Sequence, residues 1–498
     1  MNKVTYFRAK LRVAQILDGT VFLTLSALVV YTVSRHEPWA DEADTWLEVR
    51  DLRLFHILFK ELRYDGHLPL WHSTVWIGMH ILHLPYARFG YLGAAIALAG
   101  LAVLLFLAPF PRPLRYAIAA SFFPLYQYAA VARPYVFVPL LAFLSAHFYR
   151  QSLPRIVPFA VAAALLIQDS SYAAVMGVTF AFFYGLQLLQ KWQELPGSDR
   201  KKVMLAGSLV LLSIVFAVVV LFPPADSSLM VSAVEKTFRR HLELYSEGLV
   251  GAFADTALVA IPFLVLAAIW AYQRGVLLLL VASVGGTAFV YGFVQGFGHH
   301  QGIMTISMVM VAWAGWPSAK EAKYRGPAHK VQLSFVTAKT ILFAWQCTWS
   351  YAAIRNDWAG PYSGAKDAAA YLKSVHADEL GCSGYKFWAV AVQPYFGRNL
   401  FLNYGGQTAP ARYHFSIDFE RRANLATDWE MQNGPPFIVV APPGMSLEQA
   451  QPIIRELSSW NYVLVHSSDG GLFFKNRSDH SLYLIFEKID FALSRPGR

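Results

Sequence analysis

The chain has 498 residues, of which 56% are hydrophobic and 15% charged, and its 42 Lys and Arg outnumber 32 Asp and Glu to leave a formal charge of +10. A soluble domain carries about a quarter charged residues, so this balance excludes an ordinary soluble enzyme and points to side chains that face lipid or a membrane-buried core. Two cysteines, Cys347 and Cys382, are too few for a disulfide framework or a cysteine-based metal site, which leaves any chemistry to oxygen and nitrogen groups.

A helix that crosses the hydrocarbon core needs roughly 20 apolar residues. The first such run, 14–33, follows Lys3, Arg8, Lys10 and Arg12, and it reads as an uncleaved anchor because no small-x-small cleavage site follows it. Further clear runs lie at 88–108, 203–222, 253–272, 275–294 and 331–351, and shorter or blended ones at 68–84, 115–131, 133–149, 156–169, 171–189 and 302–317. They predict a polytopic α-helical membrane protein of about 11–12 transmembrane helices. Short basic segments mark the cytoplasmic side: the N-terminus, Lys191 with Arg200 to Lys202 before the run at 203, and Lys320, Lys323, Arg325 and Lys330 before the last run. Segments 34–67, 223–252 and 295–301, and everything after about 352, then fall on the outer side. If Arg112, Arg115, Arg150 and Arg155 are also cytoplasmic, one early segment does not cross, and 68–84 is the natural candidate. This topology also accounts for the positive charge, so no nucleic-acid partner is expected.

The first outer segment is rich in ionisable groups. Asp41, Glu42 and Asp44 follow the first helix directly, where a carboxylate can serve as general base or bind a divalent cation; the plainer reading is a solvated acidic loop. Leu47, Leu54, Leu58 and Leu62 share one helical face, which predicts an amphipathic helix in the interface plane, although Asp51 interrupts the apolar side. Gly66 and Pro69 then turn the chain back towards lipid and bring Asp65 and His67 near the acids. Segment 223–252, with Arg239, Arg240, Glu243 and Glu247, reads as a second outer amphipathic helix, and Trp345, Trp349 and Tyr351 as an interfacial aromatic belt. From about Asn356 the long apolar runs stop. Short β-like runs at 437–441, 462–466, 471–474 and 482–486 alternate with helical patterns at 365–374 and 447–457, which predicts a small soluble C-terminal α/β domain. Its aromatic stretch 385–404 suits sugar stacking, but a strand-rich domain carries aromatics in any case.

Asp41-Glu42-Ala43 after the first helix, His67-Leu68-Pro69-Leu70 at the entry to the next segment, Ala132-Arg133-Pro134-Tyr135, and Asp169-Ser170-Ser171-Tyr172 follow one another along this many-helix chain. In that order they resemble the motifs of the GT-C membrane glycosyltransferases, the superfamily of protein O-mannosyltransferases, aminoarabinose transferases and oligosaccharyltransferases. The chain departs from the pattern where Leu68 replaces the first proline of the entry motif and where the His-Tyr-Tyr-like run is lost. The resemblance covers about 10–350 and implies a transmembrane GT-C-like domain over 1–351, with its first outer loop at 34–67, and a periplasmic α/β domain over 352–498.

What the resemblance implies is an inverting transfer of a sugar from a polyprenyl-phosphate donor to a glycan, lipid or protein acceptor on the outer face of the inner membrane. Asp41 matches the family's catalytic acid position and is the expected base, with Glu42 as its helper; Asp65, His67 and Tyr135 are expected at the substrate. Three groups are candidates for the phosphate or its surroundings. Arg133 lies between apolar runs, where an arginine is costly and its planar fork suits phosphate; the alternative is a snorkelling side chain. His299 and His300 end a Gly-rich turn on the outer side, and a surface loop is the plainer account of them. Asp169 either faces the same cavity or belongs to a helix cap with Ser170 and Ser171. Asp41, Glu42, His67 and His299 offer ligands to a divalent cation, but none has the i, i+4 histidine spacing of a helical zinc site, so no metal is assigned. The rival readings are a lipid-linked sugar transporter or flippase, a polysaccharide polymerase or ligase, and a non-catalytic scaffold. The clustering of ionisable groups on one face, beside a soluble domain, favours the enzyme over a transporter.

Overall fold

In this computed structural model, residues 3–151, 153–228, 236–294, 296–318, 321, 327–424 and 434–494 are described. Lys320, Lys323, Arg325 and segment 229–235 lie outside the described residues. Helix α1 (Lys3–Arg35) carries the first apolar run and stops three residues before Pro38, because the residue preceding proline disfavours helical backbone. Outward-facing Val13, Ile16 and Leu23 are all more than half exposed, as lipid-facing residues of a spanning helix are. Among the described residues four helices are long and apolar enough to cross a membrane: Val13–Arg35, Tyr86–Leu107, Ser171–Gln190 and Gly197–Leu221. A fifth span results if Phe238–Phe253 and Ala257–Gln273, bent 82° apart, are counted as one. The remaining apolar runs form shorter helices, or helices with more polar groups.

After α1 the chain enters α2 (Ala40–Asp51), a helical stretch over 54–65, and α3 (Pro69–His80). The 12 residues of α3 extend about 18 Å, well short of the ~30 Å hydrocarbon core. Tyr86, just beyond, packs edge-on against Tyr395 of the C-terminal domain with ring centroids 5.5 Å apart. Segment 68–84 thus starts and ends at the same end of the bundle. Helix α4 (Phe89–Leu107) then runs to the opposite end, where Arg112 pairs with Asp18 at 3.0 Å.

Run 115–131 is not one helix. It forms α5 (Arg112–Ala120), breaks at Ser121, makes a π-turn at Phe123–Gln127 and continues as irregular backbone to Arg133. Non-helical chain at this depth is tolerated because residues 121–136 are buried in protein and hydrogen-bond locally. Helices α6 (Phe137–Gln151), α7 (Ile156–Ile167), α8 (Ser171–Gln190), α9 (Gly197–Leu221), α10 (Phe238–Phe253), α11 (Ala257–Gln273), α12 (Leu277–Phe293), α13 (Gln301–Ala314) and α14 (Pro327–Ala359) complete the bundle. The wholly buried stretch from Gln301 to Trp313 makes α13 the centre of the bundle. The C-terminal ends of α1 and α14 meet where His36 pairs with Asp357, and the end of α9 lies where Arg63 donates to the Phe222 carbonyl. The basic starts of these three helices therefore share the opposite end.

Helix α14 continues through Ala359, so the composition change near 352–356 falls in its last turns. The C-terminal domain holds a four-stranded mixed sheet in the order β1 (Cys382–Tyr385), β2 (Phe437–Val440), β6 (Tyr483–Lys488), β3 (Tyr462–Ser468), and a separate hairpin of β4 (Gly471–Phe474) and β5 (Arg477–His480). The period-2 alternation of side chains sorts its core. Phe437, Val439 and Ile485 pack with α2 and α15 (Ala365–Ser374) on one face, and Ile438, Leu484 and Phe486 pack beneath Gln451–Ser459 on the other.

Two expectations are corrected here. Leu47 to Leu62 do not form one helix: α2 ends at Asp51, the chain becomes helical again from Leu54, and the α2 part, with Ala40, Ala43 and Leu47, is buried in a core shared with the C-terminal domain. Asp51, which spoiled its apolar face, instead accepts from the Ala411 amide at 2.7 Å. Trp345 and Tyr351 are exposed, as a belt requires, whereas Trp349 is buried beneath the Lys475 ammonium, 4.8 Å from its ring centroid.

Candidate functional site

A cavity of about 530 Å³ opens where the bundle meets the C-terminal domain. Its polar wall is built from Asp41, Asp44, Asp65, His67, Arg133 and His299, and its apolar wall from rings that include Trp39, Trp388, Phe473 and Phe474. Tyr135 and His300 also line it. Segments remote in sequence supply these groups, and each is aimed by a local feature.

Asp41 stands in the first turn of α2. Its Oδ2 lies 2.5 Å from Nη2 of Arg133. Arg133 has extended backbone (φ −126°, ψ 169°) because Pro134 follows it, and its guanidinium rests between the rings of Trp39 and Tyr135, 5.6 and 5.4 Å from their centroids. The Nε and Nη1 atoms of Arg133 are buried and have no hydrogen-bond partner among the described residues. Burial pushes the Asp41 carboxyl up from its ordinary range, and the guanidinium offsets part of that rise.

Gly66 caps the helix over 62–65 with φ of 68°, a left-handed conformation that costs glycine nothing. The turn delivers Asp65 and His67 to the cavity and is pinned by the Leu70 amide donating to the Gln168 carbonyl at 3.0 Å. Burial, together with His72 and Arg133, lowers the His67 pKa to about 3, so the ring is neutral at physiological pH. Burial and Arg133 likewise hold His299 well below its ordinary value. His300 sits 2.7 Å from the Tyr135 hydroxyl and 3.0 Å from His299 Nε2, and stacks on Tyr172 at 4.1 Å. A Cβ at Gly298 would come within 2.6 Å of the Phe474 ring, so this turn lets the β4–β5 hairpin close down on the histidines. Lys475, at the tip of that hairpin, anchors it by donating to the Gly251 carbonyl at 2.6 Å, to Gln301 at 2.7 Å, and to Asp255.

Two sequence-derived candidates lie outside the lining. Glu42 is fully buried and accepts from the Ala132 amide at 2.7 Å and the Trp39 amide at 3.2 Å, so it fixes the backbone on either side of the Arg133–Asp41 pair. Asp169 is fully buried near Tyr128 and Tyr135, with both carboxyl oxygens lacking a hydrogen-bond partner of good geometry, and the cap of α8 is Ser170, which accepts from the Ala173 amide at 3.2 Å. The ligand set Asp41, Glu42, His67 and His299 does not converge on one point among the described residues.

His36 was not expected from the sequence to matter. It bridges Glu42 at 3.2 Å and Asp357 at 2.9 Å, tying the ends of α1 and α14 to the start of α2. Burial works against its charge, yet the two carboxylates raise its pKa from 6.5 to about 10. A pKa raised in the folded state gives stability that is complete below pH 6.5 and lost as pH climbs through about 10. The thermal midpoint of the wild type should therefore fall towards that of His36→Gln between pH 6.5 and 10; an offset that stays constant with pH would remove His36 from this role. Trp39, Phe473 and Phe474 were also missed as wall residues, and no periodicity in the sequence distinguishes them from core aromatics; Trp388 belongs to the aromatic stretch 385–404.

No family model matches the chain, and no curated protein matches it by sequence. The structure superposes on crystalline ArnT from Cupriavidus metallidurans in the apo state with a TM-score of 0.53, at 12% identity, over 96% of this chain and 99% of that one. The fold is that of ArnT. The same protein bound to undecaprenyl phosphate gives a TM-score of 0.49 at 12% identity, covering 95% of this chain and 97% of the other. The ArnT-like fold thus extends over bundle and C-terminal domain together, and the cavity described above lies between these two parts of it.

Proposed function

We propose that the protein is a glycosyltransferase of the cytoplasmic membrane that moves a sugar from a polyprenyl-phosphate donor to an acceptor hydroxyl at the outer face, with inversion. The observation that carries this reading is the pairing of Asp41 with an arginine whose remaining donors are buried and free, inside a ring-lined cavity. A desolvated guanidinium is suited to a phosphate, which it grips with a planar fork. The donor phosphate competes with Asp41 for that fork and leaves Asp41 as a carboxylate of raised basicity beside the sugar.

In the step itself the acceptor oxygen attacks the anomeric carbon while Asp41 takes its proton. The bond from that carbon to the phosphate oxygen breaks, and the electron pair leaves with polyprenyl phosphate, held by Arg133. Neutral His67 and His299 can hydrogen-bond substrate oxygens without adding charge. Tyr135, His300 and Asp65 complete the polar wall, Glu42 positions the pair, and Asp169 supports Tyr135 from behind the wall. The rings of Trp39 and Trp388, 5.8 Å apart, offer a surface for the sugar.

Residues 1–351 form the catalytic membrane unit in this reading, and 352–498 the periplasmic domain that closes it. The basic starts of α1, α9 and α14 face the cytoplasm by the positive-inside rule, which puts the N-terminus inside and the cavity outside. The acceptor is a cell-surface glycan, a glycolipid or a protein. The test is release of free polyprenyl phosphate by purified protein in detergent, supplied with polyprenyl-phosphate hexoses and pentoses and a membrane extract as acceptor. Release above the boiled control supports the reading; none with any donor sinks it.

A further inference from the structure

Beside the cavity, α2 and α3 bring Glu48 and His72 together with Nε2 and Oε2 3.1 Å apart, both side chains 1% exposed. Asp65, at the cavity wall, completes a group whose ligand atoms all lie within 4.8 Å of one another. Among the described residues it is the one group of three or more His, Cys, Asp or Glu gathered this way. Both carboxyl oxygens of Glu48 and both ring nitrogens of His72 are buried without a hydrogen bond of good geometry. Buried polar atoms in native proteins are nearly always satisfied, and here Glu48 approaches His72 and Asp65 without well-formed hydrogen bonds, a shortfall that a bound cation would make good.

The nearby charges favour a cation there. The Arg412 guanidinium is paired with Glu61 at 2.8 Å and offsets only part of the negative charge that Asp44 and Glu61 add around Glu48 and Asp65.

We propose that Glu48, Asp65 and His72 bind a first-row divalent cation of the zinc or manganese class, admitted from the cavity past Asp65. Two carboxylates and one imidazole suit such ions better than calcium or magnesium, which prefer all-oxygen shells. Three protein ligands leave at least one position for water or for a group entering the cavity. The proposal stands apart from the transferase reading, because it is tested by bound metal and not by turnover.

The experiment uses the untagged full chain in detergent, stripped with EDTA and dialysed against micromolar zinc or manganese. The expected result is about one equivalent per chain in the wild type and in the remote control His376→Gln, and affinity weakened by more than about tenfold in Glu48→Gln and His72→Gln. Cobalt added to the stripped wild type should give d–d absorption bands that zinc abolishes, which keeps the test decisive even if the variants fail to fold. Wild type that retains no stoichiometric metal and gives no cobalt spectrum overturns the proposal, as does undiminished binding by both folded variants.

Discussion

Asp41→Asn is expected to lower turnover of a polyprenyl-phosphate sugar by about 10²- to 10⁴-fold, the range contributed by a positioned general base. The amide has nearly the shape of the carboxylate but no useful basicity. It also releases Arg133 from the 2.5 Å ion pair, leaving the guanidinium freer to meet a phosphate, so donor affinity should hold or tighten while kcat falls. That split separates a lost base from a damaged fold, which would weaken binding as well. Donor binding can be followed by quenching of tryptophan fluorescence, since Trp39 and Trp388 line the cavity. Equal turnover in wild type and variant would remove Asp41 from the chemistry.

Arg133→Ala should do damage of a different kind. It removes the donors expected to hold the departing phosphate, a loss of about 10²- to 10³-fold in kcat for a single electrostatic stabiliser. It also leaves Asp41 buried without its cation, so the donor KM rises as well. Arg133→Lys keeps the charge but not the planar fork, and should recover part of the binding and less of the rate. If Arg133→Ala binds and turns over donor like the wild type, the free Nε and Nη1 atoms serve packing against Trp39 and Tyr135, not phosphate.

Some of this site was legible in the chain because it depends on local rules. Acids directly after an apolar run, a Gly-x-x-Pro turn at Gly66 and Pro69, and an Arg-Pro step at 133 each restrict the backbone over a few residues. Asp41, Asp65, His67, Arg133, Tyr135, His299 and His300, singled out on those grounds and by resemblance, line one cavity. Glu42 and Asp169 share the same sequence signals but lie behind the wall. Which way an acid on a helix points depends on what packs against it, and for Glu42 that is the Ala132 amide, 90 residues away.

The amphipathic reading of 47–62 failed over its first turns, in α2, for a related reason. A helix with one apolar face can bury it in lipid or in protein, and periodicity is the same in both cases. Here the covering surface is the C-terminal domain, some 350 residues downstream, which also buries Asp44 against Tyr413.

Composition and the length of the apolar runs by themselves determined that this is a multi-pass membrane protein with a mixed domain at its C-terminus, because hydrocarbon demands long apolar helices wherever they occur. Only the tertiary structure decided that α3 starts and ends at one end of the bundle, that His36 clasps two helix ends, and that Glu48 meets His72. Those outcomes rest on contacts between segments far apart in the chain, where burial and charge pairing, not local propensity, set the energy.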